Sequence, residues 1–245
     1  MSRAAARRRL ILPLDVDTTR AAARLVRSLA GEVGLFKIGK QLFMHAGPEA
    51  VRRVHAKGGE VFLDLKFHDI PQTVALAGVE AARLGVRMFN VHAAGGSEMM
   101  TATAAAVADV CRRERLRHPI LLAVTVLTSL GDTDLRRVGV PGTVVRQVVR
   151  LARLAKASGM DGVVASPGEV GAIRRACGPS FIIVTPGIRQ TGDPRGDQKR
   201  IETPEAAMRA GADYLVVGRP IRDAADPIAA ARGIVTAMAR GLAAR

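Results

Sequence analysis

One unit recurs along this chain: a helical stretch runs into glycine, and within a few residues a short apolar strand begins. It is visible in "VRRVHAKGGEVFLDLK", "EAARLGVRMFNVHA", "LARLAKASGMDGVVAS", "IRRACGPSFIIVTPG" and "EAAMRAGADYLVVGRP". Glycine there suits the left-handed residue that ends a helix. The strands hold few interior charges and are rich in Val, Ile, Leu and Phe, as parallel strands covered by helices are. Adding "LILPLDV" (10–16), "GLFKIG" (34–39) and "ILLAVTVL" (120–127) makes eight strands. Helix starts are marked by Asp17 before Thr18 and by Pro71, Pro167 and Pro204. Such alternation leaves a closed barrel or a doubly wound sheet. The count favours the barrel. No Gly-x-Gly-x-x-Gly follows a strand and no Walker-type loop occurs. The expected fold is therefore α/β, a single-domain (β/α)8 (TIM) barrel over residues 10–245.

The length of 245 residues agrees with the roughly 250 typical of such barrels. No apolar stretch approaches the roughly 20 residues of a membrane span, so no membrane partner is expected. Cys111 and Cys177 form no close-spaced pair, which leaves no disulfide framework or zinc pattern and makes a reducing cytoplasm the simplest home. The start, "MSRAAARRRL", lacks the apolar core of a secretory signal, and residues 1–9 read as a disordered basic tail. The formal charge of +15 raises nucleic-acid binding as an alternative. However, the arginines are scattered over predicted helix faces, and a chain with no Trp and one Tyr offers few stacking platforms. No nucleic-acid partner is expected. A basic surface attracts anionic substrates, and phosphate esters fit that bias.

"DLKFHDIP" (64–71) follows the apolar run Val61-Phe62-Leu63. Side chains alternate across a strand, so Asp64 and Lys66 share the face of Phe62. Unpaired, such groups are costly to bury. They form either a structural ion pair or the wall of a working pocket. Other polar residues fall at the same ends of the strands: Asp15 on the first, Lys37 on the second, His92 on the fourth and Thr128-Ser129 after the fifth. In a barrel of this kind the active site lies at those C-terminal ends. His92 reads as a pocket-wall residue and His68 as positional. His45, His55 and His118 show no HExxH-like spacing, so no metal site is expected.

After the seventh strand comes "TPGIRQTGDPRGDQKRIETP" (185–204), long, polar and rich in Gly and Pro. A compact domain seldom keeps such a loop unless it binds or covers something. The eighth strand ends in "VVGRPI" (216–221), where Gly218 allows close backbone approach and Arg219 supplies a cation. Barrel enzymes often hold a phosphate after strands seven and eight. A phosphorylated small molecule with its reacting end near Lys66 is expected.

"DLKFHDIPQTV" resembles the signature of the orotidine 5'-phosphate decarboxylase family. So do "LPLDV", "FKIG", "VLTS", "TPGIR…GDQKR" and "VGRPI", in the family's order over residues 10 to 240. The resemblance implies decarboxylation of orotidine 5'-monophosphate to UMP in a homodimer, with neither metal nor cofactor. It makes Lys66 the proton donor in a charged array with Lys37, Asp64 and Asp69. Asp15 and Lys37 would hold the ribose, and Thr128 or Ser129 the pyrimidine. Asp69 and Thr73 would reach in from the partner subunit, Ile70 joining the substrate site beside them. Gln198 would span base and phosphate as the loop closes, while Arg219 and the Gly218 backbone grip the phosphate and Arg189 lies in the same phosphate-side loop system. The Asp-x-Lys-x-x-Asp core also resembles magnesium-dependent sugar-phosphate decarboxylases and aldolases, which remain the enzyme alternative.

Overall fold

The computed structural model describes residues 2–189 and 202–245. Its eight strands close into a barrel in chain order, each parallel to its neighbours. They are β1 (Leu10–Pro13), β2 (Leu35–Gly39), β3 (Val61–Phe67), β4 (Met88–His92), β5 (Ile120–Val124), β6 (Gly162–Val164), β7 (Ile182–Thr185) and β8 (Tyr214–Val216). Helices follow each strand, and the expected single-domain barrel is what forms. Thr18, rather than Asp17, caps the helix Thr19–Leu29, its hydroxyl accepting from the Ala21 N–H. Pro71 and Pro204 open their helices as expected. Gly178 (φ 83°) and Gly211 (φ 116°) close theirs in backbone conformations open to glycine.

Alternation sorts the strand residues into two cores. Ile11, Leu35, Phe62, Met88, Leu122 and Val216 pack with one another inside the barrel. The intervening Leu10, Leu12, Phe36, Leu63 and Phe89 belong to the larger core between sheet and helices. Two steps beyond the inner apolar residues, on the same face, come Lys37 on β2, Asp64 on β3 and Asn90 on β4. The barrel thus ends upward in a polar layer resting on a packed apolar one.

The amino terminus differs from the expected disordered tail. Residues Arg3–Arg7 form a short helix capped by Ser2, and Ala6 is completely buried. This helix packs against the C-terminal helix Pro227–Ala243. The cause lies in "RAAAR": alanine favours helix, and Ala6 joins the hydrophobic core. Several strands are shorter than expected. β1 stops at Pro13 and β5 at Val124, and the residues that follow leave the sheet for the barrel mouth. Many arginines do sit on exposed helix faces, where Glu49 pairs with Arg52 and Arg53, and Asp109 with Arg112 and Arg113. Among the described residues no helix is long and apolar enough to cross a membrane.

Candidate active site

A cavity of about 440 Å³ opens at the C-terminal ends of the strands. Its floor is apolar, made by Phe62, Val124, Val164 and Val216 from the inner face of the barrel. Asp15, Lys37, Asp64 and Lys66 line it from β1 to β3, and Arg189, Gly218, Arg219 and Arg222 from the segments after β7 and β8.

The first group forms a continuous chain of alternating charge. Lys37 Nζ lies 3.3 Å from Asp15 Oδ1 and 3.2 Å from Asp64 Oδ2. Lys66 Nζ donates to Asp64 Oδ1 at 2.6 Å. The same oxygen accepts from Asn90 Nδ2 at 2.7 Å. Burial alone would raise the Asp64 carboxyl, but Lys37 and Lys66 outweigh it and hold the group below the usual carboxylate range. Burial would likewise lower Lys37, yet Asp64 and Asp15 reverse that effect and raise it. With two acids and two lysines the array is neutral in sum, which is how a site with Asp64 only 8% exposed carries it.

The strand that brings Asp64 and Lys66 together is not regular. Leu63 of β3 pairs with Phe89 of β4, and the next paired residue, Phe67, meets Val91. Two extra residues are thus inserted on β3, and Lys66 takes a left-handed φ of 54°. The lysine reaches Asp64 as expected, but through a bulge rather than simple alternation.

Most of the expected site residues share this cavity. Of the pair after β5, Thr128 lines it, whereas Ser129 is exposed beside it. Arg189 is buried, and its backbone N–H donates to the Glu202 carbonyl at 3.0 Å. Ile188 and Glu202 form a parallel bridge. Gln198 lies outside the described residues. Asp69, Ile70 and Thr73 are exposed on the loop and helix after β3 and do not line this chain's cavity. Asp69 Oδ1 accepts from the Ile70 N–H at 2.7 Å.

His92 ends β4 with its ring 5.5 Å from that of His68. Burial, then His68, Lys66 and Lys40 nearby, push its pKa down to about 4 against the pull of Asp64. Among the described residues no group of three or more His, Cys, Asp or Glu could hold a metal ion.

Two residues of the site were missed in the sequence. Asn90 carried a signal, a polar residue at an inward position of the apolar strand "MFNVH". Arg222 carried none. Its Nη1 donates to the Asp15 carbonyl at 2.8 Å, tying the end of β8 to the end of β1, and that partner is 207 positions away.

The orotidine 5'-phosphate decarboxylase / HUMPS family model matches residues 8–234. The orotidine 5'-phosphate decarboxylase of Syntrophotalea carbinolica is 56% identical over 97% of each chain. The chain belongs to the orotidine 5'-phosphate decarboxylase family. The Moorella thermoacetica decarboxylase is 54% identical, over 96% of this chain and 93% of that one. Among solved structures, the orotidine 5'-phosphate decarboxylase of Lactobacillus acidophilus superposes with a TM-score of 0.83 at 36% identity, over 94% of this chain and 98% of that one. As a decarboxylase of this family, the protein carries its charged array and its arginine-lined wall in one cavity.

Proposed function

We propose that this enzyme converts orotidine 5'-monophosphate to UMP and CO2, the closing step of de novo UMP synthesis, with Lys66 protonating C6 and neither metal nor organic cofactor taking part. The observation that carries this reading is the Asp15–Lys37–Asp64–Lys66 array at one wall of the cavity. Loss of CO2 from C6 leaves an electron pair in the plane of the pyrimidine, without ordinary π-delocalisation. Fixed positive charge is the remaining means of stabilising it. Lys66, fixed against Asp64 at 2.6 Å, presents an ammonium that needs little reorganisation as the carbanion forms. An N–H bond of Lys66 then breaks, the proton joins the C6 electron pair, and the neutral amine regains a proton from water.

The rest of the cavity suits the remainder of the substrate. Asp15 and Lys37 take the ribose hydroxyls, and Thr128 takes the pyrimidine edge above the apolar floor. Arg219 and the Gly218 backbone take the phosphate, with Arg189 and Gln198 on the loop that precedes them. A Cβ at Gly218 would stand 2.9 Å from Pro13 Cγ, so glycine keeps this wall close to β1. Binding energy at the phosphate can organise the distant reacting end.

Asp69, Ile70 and Thr73 act, in this reading, in the cavity of a second subunit of a homodimer. Two features support it. These residues face outward from their own chain. Met44, Ile70 and Leu76, apolar side chains on the segments that follow the adjacent strands β2 and β3, are 83%, 67% and 54% exposed.

The test is absorbance on mixing the enzyme with orotidine 5'-monophosphate in excess EDTA. Conversion to UMP is expected from the wild type and near-complete loss from Lys66→Ala. An inactive wild type that needs magnesium and a keto-sugar phosphate would overturn the reading. For the dimer, mixing inactive Asp69→Ala and Lys66→Ala proteins should restore activity in hybrids. No restoration despite proven subunit exchange would refute the shared site.

A further inference from the structure

We propose that Asn90 is a positioning residue for Lys66, clamping the lysine at both ends through one side-chain amide. The proposal rests on the reading of Lys66 as proton donor. Lys66 sits in the inserted part of β3, where the ladder to β4 is interrupted between Leu63 and Phe67. A bulge of this kind leaves backbone groups without their ladder partners. It also puts Lys66 at φ 54°, a region that residues with a Cβ seldom occupy unless their surroundings hold them there.

Asn90 does the holding. Its Oδ1 accepts the Lys66 backbone N–H at 2.9 Å. Its Nδ2 donates to Asp64 Oδ1 at 2.7 Å, the same oxygen that receives Lys66 Nζ at 2.6 Å. One amide therefore fixes where the lysine leaves the backbone and, through Asp64, where its ammonium ends. The orientation of the amide follows from its partners, because the N–H requires an acceptor and the carboxylate a donor. Asn90 is completely buried, does not line the cavity, and acts only through its neighbours. Few replacements serve both partners at this length. Leucine offers neither group, serine is too short to span them, and an ionised aspartate would set a second carboxylate against Asp64.

The experiment compares wild type, Lys66→Ala, Asn90→Ala and Asn90→Asp as full-length proteins. It records turnover of orotidine 5'-monophosphate from pH 5 to 8, UMP binding by calorimetry, and thermal unfolding. Displacing a reacting group by about 1 Å costs on the order of 10²-fold in rate. Asn90→Ala is accordingly expected to lose about that factor in kcat, with KM and UMP affinity within about threefold of wild type. Asn90→Asp keeps the acceptor for Lys66 N–H but loses the donor to Asp64. Its kcat deficit should shrink as pH falls, because protonating the new carboxyl restores a donor while an acceptor remains. A purely structural role predicts no such rescue, only kcat falling with the folded fraction. A folded Asn90→Ala with kcat within about threefold of wild type overturns the proposal, as does failure of both variants to fold. If wild type itself does not turn over orotidine 5'-monophosphate, the reading of Lys66 falls first. If wild type is active, Lys66→Ala inactive and Asn90→Ala unimpaired, only the role of Asn90 falls.

Discussion

Replacing Asp64 with asparagine keeps the side chain's shape and removes the one charge on which both site lysines converge. Asp64 is 8% exposed and meets Lys66 Nζ at 2.6 Å and Lys37 Nζ at 3.2 Å. Unit charges about 4 Å apart attract by about 4 kcal/mol at an effective dielectric near 20, much of it offset by the cost of burying the carboxylate. Removing one partner of a buried pair typically costs about 3–5 kcal/mol. Two features place this case at the low end. The Lys66 side chain keeps 26% of its exposure, and Lys37 still has Asp15 at 3.3 Å. A loss of about 3 kcal/mol, at ~2–4 °C per kcal/mol for a domain of this size, lowers Tm by roughly 6–12 °C. Circular dichroism melts of both proteins at pH 6, 7 and 8 read this directly. An acid held below its ordinary 3.8 contributes stability that is lost only as pH falls through that lowered value. A lysine held above 10.5 loses its contribution only as pH rises through the raised one. Neither window touches pH 6–8, so the difference in Tm should be the same at all three. A variant as stable as wild type would show that the array is not mutually neutralising and that the argument for burying it is wrong.

His92, pushed down to about 4, should stay neutral at pH 5.5 when its ring protons are followed by NMR, and a midpoint near 6.5 would refute that placement. Because the unfolded chain then binds the extra proton, its contribution should weaken the fold as pH drops from 6.5 towards 4. Arg174 donates to the carbonyls of Gly178, Pro179, Phe181 and Gly211 and pairs with Asp213 at 2.7 Å, so Arg174→Ala should cost about 3 kcal/mol of stability and leave kcat at 25 °C unchanged. A Tm within 2 °C of wild type, on the roughly 2–4 °C per kcal/mol scale, would refute it. Deleting residues 2–8 removes the buried Ala6 and uncovers the face of Pro227–Ala243 on which the short helix packs, and should lower Tm by a few degrees. A disordered tail predicts no change.

The barrel was legible because its demands are local and repeated. A buried parallel strand must be short and apolar, and a helix must end, so glycine and the Val/Ile/Leu runs mark each unit wherever it falls. Strand ends were less legible, because Val126 and Leu127 are as apolar as Leu121 and Leu122 although they leave the sheet. The amino terminus was misread for a different reason. Its arginines dominate the composition, while the packing that orders it buries Ala6 and sets the short helix against another helix more than two hundred residues later.

In the site, alternation carried most of the argument. Lys37, Asp64 and Asn90 each stand two positions beyond an inward apolar residue, and a polar side chain there must find partners or a cavity. Lys66 shows where that logic ends. Counting by twos puts it on the same face as Asp64, which is the right outcome. Yet the register with β4 slips by two residues, and the lysine is left-handed at the slip. Nothing in "DLKFHD" announces this, since the insertion exists only relative to β4, and its support comes from Asn90 on that neighbouring strand. A charge that has to be aimed is therefore placed by a departure from regular structure, and the residue that secures the departure lies outside the motif that displays the charge.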